Sequence, residues 1–326
     1  ALAALQRLRW LHAANSPADV REGAQEACSA FLGGDVPLHL AGEAATPVRP
    51  YARQSVAWLR HGRRHRPLAE RLAGGPLGEM IDGRRGGFLR RWEDVQAERK
   101  MGRAPTLYGD KVLTSDRGAY IHFVKDGLAR GVFRLGRRCK QQVRAFFVGK
   151  KDNSLRLILD CRRSNMHFCD PPRTALYSAS SAGDAETDEG AELFFSQVDV
   201  ENAFYQHGLP GWLSEYFCLP PVSAAEMGLT EWEGSPILAD TQLYPQAAVA
   251  PMGWSWGLHL VQAAHEEIVR GVLSASGAVQ AYDHRPVPRV DETGIFSIYV
   301  DNIVAVSYTH LRAHETDSYI VCRLLL

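Results

Sequence analysis

The stretch SIYVDNIVAV, residues 297–306, sets two short apolar runs on either side of Asp301-Asn302. Runs of β-branched and aromatic residues joined by a two-residue polar connection predict a tight antiparallel hairpin. Two readings stand open for the segment alone. Asp301 and Asn302 can form an ordinary solvated turn, or the carboxylate can sit at the hairpin apex to take a metal ion. The rest of the chain decides between them.

Upstream lies AVAPMGWSWGLHLVQAAHEEIV, residues 248–269. A Pro-Met-Gly-Trp turn there leads into a helix with Leu258, Val261, Ala264, His265 and Ile268 on one side. HEEIV lacks the second His that a zinc-protease helix carries four residues on, so His265 reads as packed or exposed rather than liganding. Further upstream, LFFSQVDVENAFYQHGLP (193–210) reads as a buried strand ending at Asp199. Phe204, five residues on, opens a helical turn. An Asp at a strand's carboxyl end can hold a hard cation through one oxygen.

The next block, VRAFFVGKKDNSLRLILDCRRSNMHF (143–168), reads as two strands, RAFFVG and LRLILD, around a KKDNS turn. Period two puts Arg156 and Ile158 on one face and Leu155, Leu157 and Leu159 on the other. Lys150, Lys151 and Arg156 can then converge at one end of the ribbon, as a triphosphate clamp requires. A hairpin with solvated cations is the plain alternative. Residues 115–135, SDRGAYIHFVKDGLARGVFRL, have a Ser cap and helical apolar spacing.

The bulk numbers suit this set. The chain has 326 residues, 45% hydrophobic and 23% charged, as in soluble globular proteins. Six Cys, at 28, 139, 161, 169, 218 and 322, form no C-x-x-C pair, which argues against a zinc module and fits a reducing setting. No apolar run is long enough to span a bilayer and no secretory signal opens the chain. The expectation is an intracellular protein without a membrane partner; nucleus or cytoplasm, and oligomeric state, stay open. The zero net charge hides an asymmetry. Residues 49–103 carry 14 Lys/Arg against 6 Asp/Glu, and 134–173 carry 11 against 3. Residues 174–269 carry no Lys or Arg and 14 Asp/Glu. Basic faces attract phosphate backbones and acidic pockets concentrate divalent metals.

Taken in order, the four blocks resemble the polymerase domain of reverse transcriptases. The family's fingers stretch K-K-D-G-x-x-R-x-x-x-D-x-R-x-x-N is matched by Lys150-Lys151-Asp152, Arg156, Asp160, Arg162 and Asn165. Its D-x-x-x-A-F/Y palm motif is matched by Asp199, Ala203 and Phe204, and its P-x-G-W turn by Pro251, Gly253 and Trp254. Its Y-x-D-D hairpin is matched by Tyr299 and Asp301, with Asn302 in place of the second Asp. The resemblance covers residues 115–306. It implies an α+β right-hand polymerase fold, with fingers and an antiparallel palm sheet backed by helices. The domains would be a basic, helix-containing region of unknown role (1–110), fingers (111–177), an acidic flexible loop (178–190) and an incomplete palm (191–306).

The resemblance also implies a chemistry. Asp199 and Asp301, with the Val200 backbone carbonyl, would hold two Mg²⁺ ions, or Mn²⁺. Asn302 would belong to the catalytic group. Lys150, Lys151 and Arg156 would neutralise the triphosphate of a deoxynucleotide, and Phe204 would exclude a ribose 2′-hydroxyl. Pro251, Met252, Gly253 and Trp254 would form the floor beneath nucleotide and template. The partners would be a nucleic-acid template-primer and deoxynucleoside triphosphates, and the reaction RNA- or DNA-templated DNA synthesis. Asn302 carries no charge, and Met252 stands where the family often has Gln or Phe. Asn302 and the expected truncation after Val306 motivate the second reading, a catalytically decayed nucleic-acid-binding domain; an RNA-dependent RNA polymerase is the third. The tail SYTHLRAHET (307–316), followed further on by VCRLLL, resembles a translated sequencing-library adapter. Residues 307–326 are accordingly expected to be non-native, with His310, His314 and Cys322 excluded as ligands and no thumb following Val306.

Overall fold

In the computed structural model the described residues are 47–59, 65–150, 152–177, 194–273, 277–282, 285–286 and 294–307. Lys151, the acidic loop 178–190 and the tail from 308 lie outside them, as do residues 1–46. The chain divides into Ala1–Pro47 and Val48–Leu326, and the elements below belong to the second unit.

A mixed arrangement of helices and several small sheets results. Strand β1 (Val48–Arg49) is followed by β2 (Arg66–Pro67), helix α1 (Trp92–Lys100) and helix α2 (Arg117–Ala129). Next come β3 (Phe133–Gly136), β4 (Arg144–Gly149), β5 (Leu155–Asp160) and β6 (Phe194–Asp199). After β7 (His207–Gly208), β8 (Val222–Ser223), β9 (Glu231–Trp232), β10 (Ser235–Pro236) and β11 (Gln242–Ala247), helix α3 spans Gly257–Leu273. Strands β12 (Val279–Gln280), β13 (Ile295–Tyr299) and β14 (Asn302–Ser307) complete the set.

The KKDNS hairpin forms as its pattern requires. Strands β4 and β5 pair from Arg144↔Asp160 to Gly149↔Leu155, with Leu155, Leu157 and Leu159 buried and Arg156 exposed. The Asp152 carboxylate accepts from the Ser154 amide at 2.9 Å and hydroxyl at 2.6 Å, closing the loop. Strand β1 adds to the outer edge of β4, so the sheet recruits chain from well before residue 110. This follows from β4 having a free ladder edge, which any extended neighbour can satisfy.

Helix α2 differs from its expected span of 115–135. Asp116 caps it, accepting from the Ala119 amide at 3.0 Å, while Ser115 closes the preceding Lys111–Ser115 turn. Gly131, at φ +70, ends it in the left-handed conformation that favours glycine, and Phe133 already pairs with Ala247 of β11. A β-pairing has taken the last turn that the apolar spacing predicted as helix.

The sheet that matters for the site has the order β12-β13-β14-β6. Strands β13, β14 and β6 are antiparallel, but β12 joins β13 in parallel, so the expectation of a purely antiparallel sheet holds for three strands of the four. Strand β6 stands at the edge of this order, and Ser196, Gln197 and Asp199 are exposed rather than buried as predicted. Helix α3 backs β13. Its buried stripe runs through Leu260, Val261, Ala264, His265 and Val269. Leu258, assigned to that stripe by spacing, is 40% exposed, because in the first turn the buried side is held by Gly257 and Leu260 instead.

The Pro251–Trp254 turn is fixed from three sides. Met252 accepts from the Leu159 amide at 3.0 Å. Asn165 donates to the Gly253 carbonyl and accepts from the Ser255 amide, both at 3.0 Å. Gly253 has φ +110, and a Cβ there would lie 2.1 Å from the Leu159 carbonyl oxygen. Trp254 is 4% exposed and sits among Phe88, Phe168 and Phe217, with ring centroids 5.7, 5.5 and 5.3 Å away. Gly253→Ala should therefore lower stability by roughly 2–4 kcal/mol, from clash and backbone strain together. Gly271 lies in α3, where an added Cβ would meet no atom within 4 Å. Gly271→Ala should raise stability by up to about 1 kcal/mol. Urea midpoints of the two variants check the contrast.

Candidate active site

Asp199 ends β6, and the β6–β14 register sets it opposite Asn302. Asp301 lies one residue before Asn302, and the Val200 amide donates to the Asp301 carbonyl at 2.8 Å. Two acidic residues a hundred positions apart are thus neighbours at one end of the sheet. The electrostatics register the proximity. Burial pushes the Asp301 carboxyl above its usual range, and the negative charge of Asp199 pushes it the same way. Arg156, exposed on β5, is near enough to pull it back in part.

The apex itself differs from the sequence reading. Tyr299 pairs with Asn302, so the two turn residues are Val300 and Asp301, not Asp301 and Asn302. Val300 has φ 55, and Asp301 is absent from the positive-φ residues, the pattern of a turn whose first central position favours glycine. A β-branched residue in that conformation is strained. Asn302 is consequently the first residue of β14, and its side-chain oxygen accepts from Gln197 at 3.0 Å.

Phe204 lies in a 3₁₀ turn, Ala203–Gln206, entered through left-handed Asn202 at φ 52. Its ring is half-buried, and a Cβ on Gly257 would lie 3.2 Å from ring carbon Cε1 and 3.5 Å from the Pro251 carbonyl oxygen. The aromatic ring and the Pro251–Gly253 turn therefore share one wall.

The other sequence candidates are more dispersed. Lys150 remains in its own hairpin loop, 3.8 Å from Asp152, while Lys151 lies outside the described residues. Pro251 is buried, Met252 half-buried and Gly253 exposed. Trp254, assigned to the floor by resemblance, is instead packed inside the aromatic cluster, because its indole is too large to leave half-solvated beside Phe88 and Phe217. Asp160 and Arg162 of the fingers motif ion-pair at 2.8 Å, and Arg162 reaches the Thr106 carbonyl at 2.9 Å. Burial raises the Asp160 carboxyl, but the Arg162 guanidinium and the Tyr108 and Arg162 amides outweigh it and hold the group below its usual range.

The donor set fits a hard divalent cation in part. Two carboxylates whose repulsion Arg156 offsets only in part suit Mg²⁺, which binds through one or two carboxylates plus water and phosphate oxygens. Among the described residues no three His, Cys, Asp or Glu side chains form a metal-binding group. Also among them, no helix is long and apolar enough to cross a membrane.

Behind the turn stand Gln262, which pattern did not single out, and His265, which it placed on the packed side of the helix without a role. Gln262 accepts from the Val300 amide at 2.7 Å and donates to the Ile298 carbonyl at 3.0 Å. His265 Nδ1 meets the Val300 carbonyl. Polar residues three apart within the apolar stripe of α3 were the available signal.

Burial lowers the His265 imidazole to about 4, its hydrogen bond to Val300 notwithstanding, and burial together with His265 and Arg71 pushes His207 well down as well. The unfolded chain protonates first, near pH 6.5. Stability is therefore full above that value and is lost as pH falls toward about 4, by on the order of 3 kcal/mol for a ring buried as His265 is. Urea midpoints at pH 7 and pH 5 should differ in that direction, and His265→Leu should flatten the difference.

No family model matches the chain, and no curated protein matches it. Among solved structures it is similar to a foamy viral protease–reverse transcriptase in complex with double-stranded DNA, at 17% identity and a TM-score of 0.39. The match covers 68% of this chain and 30% of that one, so the chain spans under a third of that protein's length.

Proposed function

We propose that this chain carries the nucleotidyl-transfer centre of a template-directed DNA polymerase of the reverse-transcriptase type. The observation that supports this reading is the meeting of Asp199 and Asp301 at one end of the sheet, with Arg156 in the field of the Asp301 carboxyl. Asp199, Asp301 and the Val200 carbonyl would hold the metal, Mg²⁺ or Mn²⁺. When bound, two such ions supply charge neutralisation at the attacking 3′-oxygen and at the leaving pyrophosphate.

The chain's own residues do the positioning. Arg156, exposed on β5 and always charged, neutralises and orients the triphosphate as charge shifts to the leaving group. Lys150 and Lys151 extend that clamp from the hairpin loop. The Phe204 ring, which lies against Gly257, would crowd a ribose 2′-hydroxyl and so select deoxynucleotides. The basic stretches before residue 174 bind the phosphate backbone of template and primer without reading sequence.

Asn302 favours a second reading, a nucleic-acid-binding domain that has lost catalysis. Its amide oxygen is taken by Gln197, and it brings no charge to the pair. Primer extension with the full chain separates the two. Under the first reading the wild type extends a primer, and Asp199→Ala lowers the rate by a factor on the order of 10³ or more. Asn302→Asp then raises Mg²⁺ affinity. Equal extension by wild type and Asp199→Ala would remove the catalytic assignment, and tight template binding without extension by either would establish the second reading. In Phe204→Ala, ribonucleotide incorporation should rise relative to deoxynucleotide incorporation by about tenfold or more, a loss of roughly 1–3 kcal/mol in discrimination.

A further inference from the structure

Val300 is held at φ 55 with both of its backbone polar groups engaged by α3. Gln262 takes the amide and His265 takes the carbonyl. A carbonyl only accepts, so His265 Nδ1 must carry a hydrogen. In the neutral ring Nε2 is then a bare acceptor. It lies 3.2 Å from Nε2 of His207, with the ring centroids 5.0 Å apart. The hydrogen between them therefore belongs to His207 Nε2, which leaves His207 Nδ1 without one. His207 Nδ1 is a buried side-chain nitrogen with no hydrogen-bond partner among the described residues. One tautomer assignment thus satisfies every other nitrogen of the pair and puts the sole orphan on a bare lone pair. An unpartnered acceptor is tolerated better than an unpartnered N–H. A protonated dyad would add a charge among buried groups beside Arg71, which already disfavours it at both rings.

We propose that His265 is a positioning residue for the Val300–Asp301 turn, locked in its Nδ1–H tautomer by His207. The inference rests on the reading of Asp199 and Asp301 as metal ligands, and extends it to groups that touch neither metal nor substrate. His207 belongs to β7, directly after the 3₁₀ turn that carries Phe204. The dyad therefore joins the Phe204 segment, helix α3 and the hairpin apex behind the site. Without the His265 bond, Gln262 alone on α3 holds Val300 in its strained conformation, so the turn loosens and Asp301 is less firmly directed toward Asp199.

The test uses the full chain with labelled histidine. Imidazole ¹⁵N spectra should show His265 as the Nδ1–H form and His207 as the Nε2–H form. His265→Leu should speed hydrogen exchange at the Val300 and Asp301 amides. It should also weaken Mn²⁺ binding, read by electron paramagnetic resonance, by about 10–100-fold, the usual effect of losing a group that orients a ligand. His265→Asn, whose side-chain nitrogen can stand where Nδ1 stood, should restore both. The proposal is overturned if His265 is found in the Nε2–H form. It is equally overturned if His265→Leu folds with unchanged exchange and Mn²⁺ affinity while Asp301→Ala abolishes Mn²⁺ binding. If Asp301→Ala leaves Mn²⁺ binding intact, the metal assignment fails; the tautomer and exchange readouts then still decide the positioning role. Should His265→Leu not fold, the wild-type tautomer and the Asn variant decide it.

Discussion

The pairing of β6 with β14 is the constraint on which the site depends. It is a six-position antiparallel ladder between segments about a hundred residues apart, and its last rung sets Asp199 against Asn302. The Val200 amide continues the ladder by one bond, onto the Asp301 carbonyl. Loop closure over that separation opposes the contact, so cross-strand pairs along the ladder must sustain it. What the ladder delivers is unfavourable locally: two carboxylates brought together, one of them half-buried and raised by the other. A fold that uses hydrogen bonds to bring like charges together leaves a local repulsion there, which Arg156 offsets only in part.

The hairpin apex adds a second strained element to the first. Val300 occupies a conformation suited to glycine, and two polar contacts from α3 to Val300 with a third to the Ile298 carbonyl over-determine the turn. A buried polar network of this kind stabilises only if its members are satisfied. Here Gln262 and His265 are satisfied through the turn itself, which couples the rigidity of α3 to the direction of Asp301. The same helix begins against the Phe204 ring, so one element fixes both the carboxylate apex and the aromatic wall.

Much of this was legible in the residues, and the failures have physical causes. The β4–β5 hairpin followed from alternation and turn chemistry, because its inward leucines and its polar loop are local signals. The β13–β14 hairpin followed too, but with its turn one residue late. Pattern reading put the polar pair at the tip, whereas the ladder places Val300 there and draws Asn302 into the strand. The burial of Trp254 could not be read from its motif, since its partners Phe88, Phe168 and Phe217 are far away in sequence. Gln262 and His207 were invisible for a related reason. Composition treats such side chains as surface groups, and only tertiary packing shows that His207 bonds to His265 and that Gln262 and His265 bond to a turn 35 or more residues away. That Asp199 and Asp301 meet was suggested by motif order alone; spacing by itself carries no information on which distant strands pair.

The most direct measurement is a crystal structure of the full chain grown or soaked with Mn²⁺, with anomalous scattering used to locate the metal. The account expects anomalous density at the end of β6, ligated by carboxylate oxygens of both Asp199 and Asp301. Metal bound elsewhere, or the two carboxylates facing away from one another in the folded protein, would contradict it.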